Sequence, residues 1–240
     1  PSEREIRNNQ VLEVIVEIHS NRHTKNYGSP RMTRELREEH GIDFSENRVA
    51  RIMQTNGIRA QQKKAFRPKT TLQDDSAASR IAPNRLAEID QPTAPGQALV
   101  GDITYVATRE GWLYLAVVMD LYSRAILGWK IAEDLATPLV SEALSKTLRS
   151  RWVGPGGLFH SDRGCQYTSV EYSQLLQLHG LTPSMSATGY CYDNAACESF
   201  FASLKCESFP EDQVFDSRQE ARLAIFDYLE SFYNRRRRHS

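Results

Sequence analysis

Long apolar runs are missing from this chain. No stretch of 18 or more hydrophobic residues occurs in its 240 positions, so no membrane-spanning helix is expected. No secretory leader is visible at its start. The chain opens on Pro1 rather than Met, as expected where the N-terminus has been removed or lies in a longer polypeptide. Cysteine is sparse: Cys165, Cys191, Cys197 and Cys206, with no Cys-x-x-Cys pair. These are too few for a disulfide scaffold, and reduced thiols in a cytoplasmic protein are the simple reading. His19 and His23 stand four residues apart, but the cysteine pair that would complete a zinc site with them is absent. No internal repeat stands out.

Net charge is also lacking, with 30 Lys+Arg against 30 Asp+Glu. A neutral total argues against a nucleic-acid partner until the distribution is considered. Residues 1–85 carry a net of +5 and residues 86–240 a net of −5. An acidic half that handles DNA needs cations to screen its carboxylates. The remaining composition, 40% hydrophobic and 25% charged, is that of a soluble globular protein with room for one large domain or two ordinary ones.

Apolar spacing predicts a helix over residues 4–19, through Val11, Val14, Ile15 and Ile18. Ser29-Pro30 reads as an N-cap and first helical position, starting a helix that stops at His40-Gly41. Ser45 can cap a third helix that ends before Asn56-Gly57. Two short helices joined by a turn with Gly resemble a helix-turn-helix, and Arg48 and Arg51 on the second suit a DNA groove or phosphates. An ordinary three-helix bundle with solvated arginines fits equally well. Residues 61–95 read as a basic, Pro-containing linker in which Lys63, Lys64 and Arg67 can track phosphates. From residue 96 the pattern turns to strands: 98–108, 112–119 and 124–132, then alternating helix and strand, then helices at 194–209 and 217–233. The expected architecture is a helical, helix-turn-helix-like domain over 1–60, a linker, and a mixed α/β domain over 96–240.

Three acids occupy conspicuous places in that second domain. Asp102 lies inside the first strand, where a carboxylate is costly unless paired or metal-bound. Asp162 follows the apolar strand ending at His160, at the strand end where α/β sheets bind ligands. Glu198 lies one turn into the helix that begins near Asn194. Oxygen ligands suit a hard cation such as Mg²⁺, and two such ions roughly 3.5–4 Å apart activate an oxygen nucleophile and stabilise a leaving oxygen. Asp102 would bridge the ions, with Asp162 and Glu198 each holding one. Taken singly, each acid has an ordinary explanation as a strand, loop or helix residue.

Three segments together resemble the DDE transposases of bacterial insertion sequences, the group whose OrfB reading frame encodes a catalytic core of the retroviral-integrase superfamily. They are Asp102-Ile103-Thr104-Tyr105, the run from His160 to Tyr167, and the run from Tyr192 to Phe201. Thirty-five residues separate Asp162 from Glu198, as in that group, and Lys205 also matches. Leu99 and Thr188 depart from the family pattern, which commonly has Trp and a basic residue there. The resemblance implies a ribonuclease H-like fold, catalysis by Asp102, Asp162 and Glu198, and two Mg²⁺ ions that Mn²⁺ can replace. It further implies cleavage at transposon ends, strand transfer by a 3′ hydroxyl to target DNA, and a homo-oligomer on paired ends. It also implies an OrfA-type DNA-binding partner, fused or separate, and a place in the bacterial cytoplasm with the nucleoid.

Lesser candidates have plainer roles. Asp120 is expected in a turn or paired with Arg124, and His160 is expected to pack or orient a neighbour. Tyr190, in the Gly-containing loop before Glu198, can stack on a base or sit in a core. Lys205 lies two helical turns beyond Glu198 on the same face and would contact DNA. The four arginines 235–238 would grip phosphates or fray in solvent. Two other functions compete: a nuclease of the same fold, and a non-catalytic DNA-binding regulator, which would need no trio of carboxylates.

Overall fold

The computed structural model describes residues 2–60, 80–149, 153–186 and 194–237. The chain forms two compact units. The first holds Pro1–Ala65, Ser203–Phe209 and Ile225–Ser240; the second holds Phe66–Ala202 and Pro210–Ala224.

Three helices open the first unit: α1 (Glu3–Ser20), α2 (Ser29–His40) and α3 (Glu46–Thr55). Ser2 and Glu5 form a reciprocal capping box at the start of α1. The N-cap of α2 is Gly28 and not Ser29, which is already helical. Pro30 still falls in the first turn, where its missing N–H has no helical partner to lose. Gly41 ends α2 with φ 65, a left-handed conformation that glycine adopts without a Cβ clash. Val11, Ile15, Met32, Leu36, Val49 and Met53 close the core of this bundle.

The second unit is built on a mixed sheet. Strands β1 (Ala98–Thr108), β2 (Gly111–Asp120) and β3 (Ile126–Ala132) form an antiparallel meander. Strands β4 (Leu158–Ser161) and β5 (Thr182–Met185) continue it in parallel, in the order β3-β2-β1-β4-β5. Helices α4 (Thr137–Leu148) and α5 (Val170–Leu178) supply Leu139, Leu144, Tyr172 and Leu176 to a core with Leu99, Val118 and Phe159. A Cβ at Gly128 would collide with the Ala143 carbonyl and Thr147, so this glycine permits β3 and α4 to meet. The third strand begins at Ile126 and not Arg124, because Arg124 takes φ 63 within the turn that Asp120 organises. Further on lie α6 (Ala195–Ser208), β6 (Val214–Phe215) and α7 (Arg218–Asp227). The helix expected over 217–233 changes character within its length: α7 ends at Asp227, and Tyr228–Tyr233 form a π-helical turn. A meander of three strands extended by parallel strands, preceded by a helical bundle, is the ribonuclease H-like arrangement that the sequence resemblance implies.

Candidate functional site

The sheet topology sets two carboxylates side by side. Strand β1 pairs with β4 in parallel through Val100 and His160. Two residues beyond each of these stand Asp102 and Asp162, and both line one cleft with Tyr105, Gly164, Gln166 and Tyr167. On this edge of β1, β4 pairs only as far as Val100, and β6 joins at Ala107. Among the described residues no strand covers the edge between them, and Asp102 sits in that opening. Gly101 matters here because a Cβ would come within 2.6 Å of the Phe159 ring. Its absence admits the Phe159 and Tyr167 rings beneath the strand.

The third acid arrives on α6. Cys197, fully buried, points its Sγ at the Val100 carbonyl 3.9 Å away and ties the first turn of the helix to β1. Glu198, the next residue, is exposed. Its charge, with that of Asp162, acts on Asp102. Asn194, immediately before the helix, is buried, and its side-chain amide acts to lower the Asp102 pKa.

Electrostatics single out Asp102. Burial first, then the Asp162 charge, push its pKa up to about 8, and Glu198 adds to the rise. The Ile103 amide, which donates to Asp102 Oδ1 at 2.8 Å, and Asn194 oppose that rise without cancelling it. Asp162 Oδ1 accepts from the Gly164 amide at 2.9 Å, which fixes the carboxylate on its loop. Asp102 and Asp162 therefore share a cleft with Glu198 acting on it from α6. Among the described residues, no three acid, His or Cys side chains already surround one cation position. The donor set is still one that a hard divalent cation suits: clustered carboxylate oxygens whose mutual repulsion a positive ion would relieve.

The other expected residues fall into clear positions. Asp120 is fully buried and serves its turn: Gly96 N donates to one oxygen, and Ser123 N and Oγ donate to the other. His160 is buried between the hydroxyls of Ser184 and Ser186, at 2.9 Å from each. Arg51 is exposed on α3. Arg48 is not on the open side: its guanidinium donates to Asn8 Oδ1 and lies 3.9 Å from the Phe44 ring centroid. Both arginines nevertheless line a 440 Å³ cleft with Arg4, Asn8, Asn47 and Asn56. Lys205 is half-buried near the end of α6. Lys63, Lys64, Arg67 and Tyr190 lie outside the described residues.

Sequence reasoning passed over two residues. Asn194 carried no role, since the sequence puts it at the start of a helix for which Asp193 is the ordinary cap candidate. Glu207 carried no signal at all. In the first unit it is a buried hub: Arg237 donates to both its oxygens at 2.8 and 2.9 Å, Tyr228 Oη donates at 2.7 Å, and Arg31 at 3.2 Å. Arg237 is thus bound internally and does not stand as part of an open phosphate grip or a frayed end.

Comparison with known proteins gives the family of the chain. Models of the integrase core domain match residues 92–191 and 179–240, and a model of an HTH-like domain matches residues 7–66. The chain is 40% identical over 240 residues to the insertion element IS600 uncharacterized 31 kDa protein of Shigella sonnei, covering all of this chain and 86% of that one. It is 42% identical over 219 residues to transposase InsF for insertion sequence IS3A of Escherichia coli (strain K12), covering 91% of this chain and 74% of that one. Among solved structures, the simian T-cell lymphotropic virus intasome in complex with PP2A regulatory subunit B56 gamma aligns over 89% of this chain and 67% of its own. The identity there is 13% and the TM-score 0.48.

Proposed function

The chain belongs to the insertion-sequence transposases with an integrase core domain, polynucleotidyl transferases that act on DNA, and on that premise we propose that Asp102, Asp162 and Glu198 form its catalytic site and hold divalent metal. The observation that carries the reading is the juxtaposition of Asp102 and Asp162 at the uncovered edge of β1, with Asp102 pushed up to about 8 by burial and its acidic neighbours. Mg²⁺ bound there, two ions in the fullest form of the reading, would supply Lewis acidity toward the attacking and leaving oxygens of a phosphodiester. Asp102, Asp162, whose carboxylate the Gly164 amide holds, and Glu198 on α6 would hold the cation. Mn²⁺ has the same preference for oxygen donors and would replace Mg²⁺.

The rest of the chain would position DNA. The 440 Å³ cleft of the first unit, with Arg4 and Arg51 on its walls, offers cations and amides to a duplex. The linker cations Lys63, Lys64 and Arg67, together with Lys205 and Tyr190, would hold the strand end. Assembly as a homo-oligomer on paired ends, with an OrfA-type partner, completes the proposal. The test is direct: Asp102→Asn, Asp162→Asn and Glu198→Gln should each abolish cleavage and joining of transposon ends while DNA affinity stays near normal. Strand transfer at the normal rate by any of the three would remove that residue from the site.

A further inference from the structure

Asp162 stands just past the end of β4, where no strand pairing holds it. The residues on either side of it are held instead, and all of them by Ser186. Strands β4 and β5 pair as far as Ser161 and Met185. One residue further on, the Ser186 amide donates to the Ser161 carbonyl at 3.0 Å. Arg163 Nε donates to the Ser186 carbonyl at 2.8 Å. The Ser186 hydroxyl makes the third contact, 2.9 Å from His160 Nε2. Residues 160, 161 and 163 thus all bond to one serine, and Asp162 is enclosed among them. Its own Oδ1 accepts from the Gly164 amide at 2.9 Å.

Hydrogen-bond counting orients the His160 ring. The ring is fully buried, with Nδ1 2.9 Å from Ser184 Oγ on its other side. Ser184 Oγ already accepts from the Arg85 and Leu86 amides, at 2.9 and 3.1 Å. A hydroxyl accepts two hydrogen bonds and donates one, so its proton goes to His160 Nδ1. The ring proton then lies on Nε2 and is donated to Ser186. The two sides of the ring therefore do different things. The Ser184 side faces the segment that precedes β1, and the Ser186 side faces the residues that enclose Asp162.

We propose that His160 and Ser186 are positioning residues, whose Nε2–H to Oγ hydrogen bond fixes the turn after β4 so that the Asp162 carboxylate is set to receive a cation. The inference rests on the reading of Asp102, Asp162 and Glu198 as a cation site.

Ser186→Ala and Ser184→Ala each remove one hydroxyl from one side of the same buried ring. Were the ring only packing, stability and cation binding would fall together, and Ser184→Ala, which also strands two backbone amides, would be the worse variant. Binding of Mn²⁺ without DNA, followed by calorimetry or electron paramagnetic resonance, is measured beside the melting temperature in EDTA and the joining of a pre-cut 3′ end. Ser184→Ala should melt lower yet bind Mn²⁺ like the wild type while folded. Ser186→Ala should bind Mn²⁺ about 10-fold or more weakly, as loss of a group supporting a ligand does, and join more slowly at unchanged DNA affinity. Wild-type Mn²⁺ affinity in Ser186→Ala, or equal losses in the two variants, would overturn the proposal. Should either serine variant fail to fold, His160→Gln and His160→Asn replace the pair. The Gln amide nitrogen reaches the Nε2 position and donates there, whereas the Asn oxygen stands at the Nδ1 position and accepts. Tighter Mn²⁺ binding by His160→Gln than by His160→Asn supports the proposal, and equal or reversed affinities overturn it. Asp162→Asn is the control for the underlying reading. If it binds Mn²⁺ like the wild type, the cation site itself is misassigned. Weak binding by Asp162→Asn beside normal binding by Ser186→Ala removes only the role given to His160 and Ser186.

Discussion

Asp102 titrates near pH 8 in the folded chain, against an ordinary value of 3.8. Its folded pKa is raised, so between those values the folded state keeps a proton that the unfolded state has released. The stability this gives is complete below about pH 4 and is lost as pH climbs through 8. Metal-free protein should therefore lose stability across that window. Asp102→Asn cannot ionise and escapes the loss, so its melting temperature in EDTA should gain on the wild type from pH 5 to pH 9. A gap that does not change with pH would contradict the burial and repulsion assigned to Asp102. The same shift means that cation binding near neutral pH displaces a proton. Calorimetry in buffers of different ionisation enthalpy should detect that release, and Asp102→Asn should not show it.

The third helix of the bundle carries two arginines that sequence spacing treats alike and the structure does not. Arg48 is half-buried, donates twice to Asn8 on α1 and stacks on Phe44. Arg51, three residues on, is exposed. Arg48→Ala should cost about 1–3 kcal/mol of folding stability, the range of a hydrogen bond to a charged group plus a cation–π contact. Arg51→Ala should leave the melting temperature alone and lower the salt slope of DNA binding by roughly one unit, as one lost phosphate contact requires. Thermal melts with binding isotherms at several salt concentrations would check both. An Arg51→Ala isotherm with an unchanged slope would make α3 a structural helix at that position.

On the proposed reading, hydrolysis and strand transfer would draw on one carboxylate cleft, since water and a DNA 3′ hydroxyl are both oxygen nucleophiles aligned opposite a leaving oxygen. What selects the hydroxyl is the whole molecule's hold on the strand end. Full-length protein in Mg²⁺ should join a labelled, pre-cleaved 3′ end to a second strand. Lys205→Ala should reduce joining through lost DNA positioning, with cation binding unaffected. A strand-transfer gel reads the outcome, and efficient nicking of its own ends with no joined product would instead mark a nuclease.

Sequence alone determined most of the elements and singled out the three acids as candidates. Apolar period separates the helices of residues 3–55 from the strands of residues 98–132, and a carboxylate inside an otherwise apolar strand is conspicuous whatever surrounds it. The spacing of Asp162 and Glu198 added a family pattern that no single acid carries. Local signals failed where a partner lay far along the chain. Arg48 looked solvent-facing because Asn8 is 40 residues away, and Arg237 looked like part of a basic tail because Glu207 is 30 residues away. The start of α2 slipped by one residue because Ser29 and Gly28 both suit a cap, and only the backbone chooses between them. Asn194 shows the division most plainly. Its place at the start of a helix predicts nothing about Asp102, 92 residues earlier, and its influence on that acid exists only once α6 is laid against β1. Hydrogen bonds and charge coupling depend on distance in space, which tertiary structure decides and residue order does not.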